Sequence, residues 1–200
     1  MGVRDSTIDS SMTKKQWPLL LTLSRIFIAI PIAFLIYIQE PWALYLATVV
    51  FILASITDYL DGYYARKFEA VTQLGKFLDP VADKVLVTSV LAMLLQFSVV
   101  NSWILILFVG RDTIIGGIRA AAAAEGLVID AKATGKWKAA LQMISIPLLI
   151  LPAFNLSLGT AIVSNHTFGL GLLWVSVVLS LFSGWQYLQL YRGAVDGKAK

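Results

Sequence analysis

The sequence predicts an all-α integral membrane protein with six transmembrane helices, on three grounds. Of its 200 residues 58% are apolar and 14% charged, and the mean hydropathy is +0.78, a balance that excludes an ordinary soluble domain. Six apolar segments, about 18–38, 42–64, 76–97, 102–124, 136–155 and 168–191, each approach the roughly 20 residues a helix needs to cross a bilayer. The connections 39–41, 98–101 and 156–167 hold no Lys or Arg, whereas Arg66, Lys67, Lys76, Arg119, Lys132, Lys136, Lys138 and Arg192 gather on the other side. The positive-inside rule then places both termini in the cytoplasm. Lipid leaves backbone groups to be satisfied within each segment, and the apolar runs lack a barrel strand's alternation. Cysteine is absent, which excludes disulfides, thiolate metal sites and a thiol nucleophile.

Residues 1–16 are polar and lack the apolar core of a signal peptide. They read as a cytoplasmic tail, followed by a six-helix membrane domain over 17–192 and a second cytoplasmic tail over 193–200. Pro18 suits a first helical turn and Trp17 the headgroup level. Trp42 and Trp103 fall at the outer boundary, and Trp137, Trp185 and Tyr191 at the inner one. Thr22 and Arg25 sit inside the first run.

The second and third segments carry Asp58, Asp61, Asp79 and Asp83 among apolar residues. On a helix the first pair stands at i, i+3 and the second at i, i+4, so each pair shares a face. An ionised Asp in lipid costs roughly 2.5 to 3.5 kcal/mol even on lenient scales. Arg66 and Lys84 could neutralise two of the four, as in a structural salt-bridge network, but the excess of acids favours an all-oxygen nest for a hard divalent cation. Gly62 and Gly75 permit close approach of backbone or phosphate. Residues 67–75 read as a short turn holding the two pairs together, and Pro80 should loosen or bend the third helix.

The fourth and fifth segments supply Arg111, Arg119, Lys136 and Lys138. Arg111 and Arg119 are about two turns apart on one face, and the four basic residues could clamp a phosphate. The plain alternative, strongest for Lys132 and Lys138, is positive-inside charge attracted to lipid headgroups. Gly116, Gly117 and the alanines 120–124 offer a small-residue surface for packing within the subunit or in a dimer. The last segment is uncharged over 168–191 and reads as scaffold, and His166 reads as an ordinary residue of an outer loop. Asn155 and Asn165 open glycosylation tripeptides, a pattern common by chance, and no modification is assigned.

The run Asp58-x2-Asp61-Gly62-x2-Ala65-Arg66-x8-Gly75-x3-Asp79-x3-Asp83 resembles the signature of the CDP-alcohol phosphotransferase family, integral membrane enzymes of phospholipid synthesis. The resemblance implies transfer of a phosphoalcohol from a CDP-linked donor to a second hydroxyl, with release of CMP. It implies two divalent cations, Mg2+ or Mn2+, on Asp58, Asp61, Asp79 and Asp83, with Asp83 also taking the acceptor's proton. Gly62, Ala65, Arg66, Thr72 and Gly75 would contact the cytidine diphosphate. Pro18, Thr22 and Arg25 match the family's first helix, but Leu19 stands where members usually carry Asn.

Within the family the likeness is to members that use glycerol 3-phosphate, which carry two Arg eight apart and then Gly-Lys-x-Lys, here Arg111, Arg119 and Gly135-Lys136-Trp137-Lys138. The implied reaction joins CDP-diacylglycerol to glycerol 3-phosphate, giving phosphatidylglycerol phosphate, with Arg111, Arg119, Lys136 and Lys138 on the acceptor's phosphate. Inositol phosphate is the nearest rival acceptor; serine or a second phospholipid follows. From other classes, a cation transporter with an acidic intramembrane site and a non-catalytic scaffold are the alternatives. The expected setting is the inner (plasma) membrane, multi-pass and lipid-embedded, as a homodimer with its active site on the cytoplasmic side; no nucleic-acid partner is implied.

Overall fold

The computed structural model describes residues 27–67, 73–124, 134–158 and 161–198, with side chains described over 27–57, 84–124, 137–155 and 163–195. Residues 1–26, with Trp17, Pro18, Leu19, Thr22 and Arg25, lie outside the described residues, as do Thr72 and Lys132. The described residues form helices α1 (Phe27–Ile38), α2 (Pro41–Lys67), α3 (Gln73–Gln96), α4 (Ser102–Ala124), α5 (Thr134–Ile150) and α6 (Asn165–Lys198), with strands β1 (Asn155–Leu158) and β2 (Ala161–Ser164) before α6. The chain divides into two compact units, Met1–Met93 and Leu94–Lys200.

In the first unit, α1 buries Ala29, Ile32 and Ile36, and α2 buries Ala43, Ala47, Phe51 and Ala54, the three-and-four spacing of one helical face. The opposite faces are also apolar: Phe27, Ile30 and Phe34 on α1, and Trp42, Tyr45, Val49, Ile52 and Ile56 on α2, are exposed. Apolar surface this continuous suits lipid and not water. The hydroxyls of Thr48, Ser55 and Thr57 bond to the carbonyls of Leu44, Phe51 and Leu53, each at 2.8 Å, so α2 satisfies these polar atoms within itself.

Helices α2 and α3 reach further toward each other than hydropathy suggests. Lys67 ends α2 and Gln73 begins α3, so the connection is residues 68–72, which lie outside the described residues, and not the whole of 67–75. Hydropathy marks where a helix is apolar, whereas Arg, Lys and Gln extend one readily in polar surroundings. The backbone of α3 is helical through Pro80.

In the second unit α3 ends in a Schellman motif: Val99 N–H bonds to Leu94 O at 2.9 Å and Ser98 N–H to Leu95 O at 3.0 Å, with Ser98 at φ 58°. Asn101 then caps α4, its Oδ1 accepting from Trp103 N–H at 2.9 Å. Helix α5 runs antiparallel to α6, because Gly169 meets Leu149 while Ser176 meets Lys138. Helix α4 runs parallel to α6, because Arg111 meets Ser180 and Arg119 meets Tyr187.

The connection 156–167, expected to be irregular, contains an antiparallel hairpin pairing Asn155 with Ser164 and Leu158 with Ala161. Helix α5 stops at Ile150 and α6 starts at Asn165, earlier than the apolar limits 155 and 168. Pro152 has no N–H to continue the α5 ladder to the Leu148 carbonyl. That carbonyl instead accepts Asn165 Nδ2 at 2.9 Å. His166 belongs to the first turn of α6 and not to a loop; its Nε2 lies 2.8 Å from Leu151 O. At its other end α6 continues through Lys198.

Among the described residues one helix, Asn165–Val195, is long and apolar enough to cross a membrane.

Candidate active site

The candidate residues fall into two groups, one in each unit. In the first, Asp58, Asp61, Gly62, Ala65 and Arg66 lie in the C-terminal half of α2, and Gly75, Asp79 and Asp83 in the N-terminal half of α3. The expected helical spacing holds: both acidic pairs are on continuous helix, so each occupies one face. The side chains of these residues lie outside those described, and the described side chains contain no grouping of three or more metal-ligating residues. Four carboxylates are an all-oxygen donor set, the chemistry that hard divalent cations require.

The second group is an ion-pair cluster on α4 and α5. Arg111 Nη1 donates to Asp112 Oδ1 at 2.7 Å, and Lys138 Nζ donates to Asp112 Oδ1 and Oδ2 at 2.9 and 3.1 Å. All three side chains are mostly buried, with 15%, 21% and 12% exposure for Arg111, Asp112 and Lys138. Lys138 Nζ also lies 5.3 Å from the centre of the Phe108 ring. Among the described side chains, two cations share one carboxylate in a low-dielectric setting, which strengthens the attraction between opposite charges.

Among the described residues, helix α6 meets this group through uncharged atoms. Arg111 Nε donates to the Ser180 main-chain carbonyl at 2.9 Å, Ser176 Oγ donates to the Lys138 carbonyl at 3.0 Å, and the Arg119 guanidinium lies 5.2 Å from the centre of the Tyr187 ring. The contacts bring Arg111 and Lys138 together on Asp112; Arg119 is exposed and tied to α6 separately. Lys136 is in the first turn of α5, with its side chain outside those described. Sequence reasoning missed Ser176, Ser180, Gly184 and Tyr187. The available signal was the recurrence of small residues every four positions, Ser176-x3-Ser180-x3-Gly184, in a run of bulky ones.

Residues 15–182 match the CDP-alcohol phosphatidyltransferase family. The chain belongs to that family. A CDP-diacylglycerol–glycerol-3-phosphate 3-phosphatidyltransferase of Bacillus subtilis is 40% identical over 139 residues, covering 70% of this chain and 69% of the relative. One of the same name from Rickettsia bellii is 38% identical over 173 residues, covering 86% and 93%. A cardiolipin synthase (CMP-forming) of Oryza sativa is 36% identical over 187 residues, covering 83% of this chain and 54% of that one. Membership of the CDP-alcohol phosphatidyltransferases makes the chain a transferase, so the transporter and scaffold readings are set aside. The match spans the whole Asp58–Asp83 signature and Arg111, Arg119, Lys136 and Lys138, and it stops short of Gly184 and Tyr187.

Proposed function

We propose that this CDP-alcohol phosphatidyltransferase moves the phosphatidyl group of CDP-diacylglycerol to glycerol 3-phosphate, giving phosphatidylglycerol phosphate and CMP. The observation that carries the reading is the placement of the signature: Asp58, Asp61, Gly62, Ala65 and Arg66 on α2, and Gly75, Asp79 and Asp83 on α3, with only residues 68–72 between the helices. Likeness to relatives named for this reaction supports the donor and the acceptor.

Asp58, Asp61, Asp79 and Asp83 would hold two Mg2+ or Mn2+ ions, which when bound neutralise phosphate oxygens and the leaving group. Gly62, Ala65, Arg66, Thr72 and Gly75 take the cytidine diphosphate. Asp83 accepts the proton of the acceptor's 1-hydroxyl as that oxygen forms its bond to the β-phosphorus. The bond from this phosphorus to the CMP oxygen breaks, and CMP departs with the electron pair. Arg111, Arg119, Lys136 and Lys138 bind the acceptor's 3-phosphate, and Asp112 holds Arg111 and Lys138 together for it.

The enzyme would sit in the inner (plasma) membrane on six spans, with both termini and the site on the cytoplasmic side. The alternation of α4, α5 and α6 supports this topology, as does the exposed apolar surface of the helices. Among the described residues an added Cβ at Gly117 meets nothing within 4 Å, which supports the small-residue surface of α4 as the face of a homodimer.

A second reading, a phospholipid acceptor, is favoured by the likeness to the cardiolipin synthase. The test offers purified protein CDP-diacylglycerol with glycerol 3-phosphate, inositol phosphate, serine or phosphatidylglycerol in parallel and measures CMP released. Release with glycerol 3-phosphate is the expected result. Release with another acceptor and none with glycerol 3-phosphate overturns the assignment.

A further inference from the structure

One face of α6 touches three of the four basic residues assigned to the acceptor. Ser176, Ser180, Gly184 and Tyr187 are spaced by four, four and three positions, so they line a single stripe along the helix. The stripe is deep inside the unit: Ser176 and Ser180 are almost wholly buried and Tyr187 is 7% exposed. Through it Lys138 is tied by its carbonyl, Arg111 by its guanidinium and Arg119 by its face on a ring.

Gly184 is the critical position in this stripe. A helical carbonyl points toward the residue four ahead, and the Cβ of that residue leans back over it. For Ser180 that residue is Gly184, so the missing Cβ leaves the Ser180 carbonyl approachable from the side, where Arg111 Nε reaches it. A Cβ built at Gly184 would lie 3.2 Å from Arg111 Nε, 3.4 Å from Ile115 Cγ1 and 3.5 Å from Arg111 Cγ. Arg111 has little room to yield, because its other end is bonded to Asp112.

We propose that this uncharged face of α6 positions the acceptor-binding cations, with Gly184 setting the placement of Arg111 and Tyr187 that of Arg119, so that α6 determines affinity for the phosphorylated acceptor. The inference rests on the assignment of Arg111 and Arg119 to the acceptor's phosphate. Neither Gly184 nor Tyr187 touches the substrate; both are positioning residues acting through an arginine.

The experiment compares Gly184→Ala, Tyr187→Phe and Tyr187→Leu with wild type and with Arg111→Gln, measuring KM for glycerol 3-phosphate, KM for CDP-diacylglycerol, kcat and the thermal midpoint. Displacing Arg111 by a few tenths of an ångström should raise the glycerol 3-phosphate KM of Gly184→Ala about tenfold, since misplacing a binding group by a full ångström costs about a hundredfold. The KM for CDP-diacylglycerol should stay within about twofold, and the thermal midpoint should not fall, because Ala is the better helix former. Tyr187→Phe keeps the ring and should behave as wild type, whereas Tyr187→Leu should raise the same KM by roughly threefold or more. Raised acceptor KM in Arg111→Gln with wild-type values in both Gly184→Ala and Tyr187→Leu overturns the positioning role and leaves the acceptor assignment standing. An unchanged acceptor KM in Arg111→Gln overturns that assignment itself. Equal changes in both KM values and kcat, together with a lower thermal midpoint, would reduce the stripe to packing and overturn the inference.

Discussion

Lys138 of α5 reaches both carboxylate oxygens of Asp112 on α4, at 2.9 and 3.1 Å, while Arg111 holds one of them at 2.7 Å. The carboxylate is therefore a counter-ion shared between two helices. Removing it leaves two buried cations close together, whereas removing Lys138 leaves Asp112 still paired with Arg111. Asp112→Ala should cost roughly 2 to 4 kcal/mol, near the range for breaking a buried pair. Lys138→Met, which keeps most of the apolar stem and leaves Asp112 paired with Arg111, should cost less than Asp112→Ala. Thermal unfolding in detergent checks the order; equal losses would show that Asp112 is not the centre of the cluster.

Asn165 is wholly buried and bonds through both of its side-chain polar atoms. Its Nδ2 donates to Leu148 O and Pro152 O at 2.9 and 3.2 Å, and its Oδ1 accepts from Phe154 N–H at 2.8 Å. The Leu148 carbonyl has lost its helical donor to Pro152, so Asn165 replaces that donor. Asn165→Ala should destabilise by about 3 kcal/mol or more, since each buried group left unmatched costs about 1 to 3 kcal/mol. Asn165→Asp should be no better, because it sets an acceptor against two carbonyls. A loss below about 1 kcal/mol for both variants would mean that water or a local shift satisfies these groups.

Ser98 takes a left-handed φ of 58° at the C′ position of the Schellman motif, where glycine is the usual residue. Its side chain is exposed, so little is lost with it. Ser98→Gly should raise stability by about 0.5 to 1 kcal/mol, the strain relieved less the added freedom of the unfolded chain. Gln39 has the same φ, but its Nε2 bonds to Ile36 O. Gln39→Gly should gain less, and the comparison of thermal midpoints isolates the value of that side-chain bond.

The helices were legible because lipid and core both demand apolar runs, and the helical placement of Asp58, Asp61, Asp79 and Asp83 was legible because they stand within those runs. Helix ends were less so. Hydropathy stops at 64 and resumes at 76, while the helices continue to Lys67 and resume at Gln73, because backbone bonding is indifferent to polarity. The hairpin had only four residues of alternation, Asn155-Leu156-Ser157-Leu158, too few to stand against a loop. Asp112 was visible beside Arg111, but its bond to Lys138, 26 positions away, depends on how α4 and α5 pack. Helix α6 read as scaffold because its part in the basic cluster is carried by a carbonyl, a hydroxyl, a ring and a missing Cβ, none of which marks itself by charge.

Asp83 is proposed both to hold a divalent cation and to accept the proton of the attacking hydroxyl. Asp83→Asn keeps the size and one coordinating oxygen while removing the base. Loss of a positioned general base lowers turnover by about 10² to 10⁴, and loss of an anionic ligand adds to this. Binding of the CDP-lipid should suffer less, because Asp58, Asp61 and Asp79 remain for the cation that meets the diphosphate. Chelation of the wild type should abolish turnover, and added Mg2+ or Mn2+ should restore it, because four carboxylates repel an anionic diphosphate unless a cation stands between them. Turnover and metal-dependent CDP-lipid affinity, measured on the same purified Asp83→Asn protein, separate the two roles. If the variant kept more than about a tenth of wild-type turnover, outside the range for a lost base, the proton would have to leave by another carboxylate or a water.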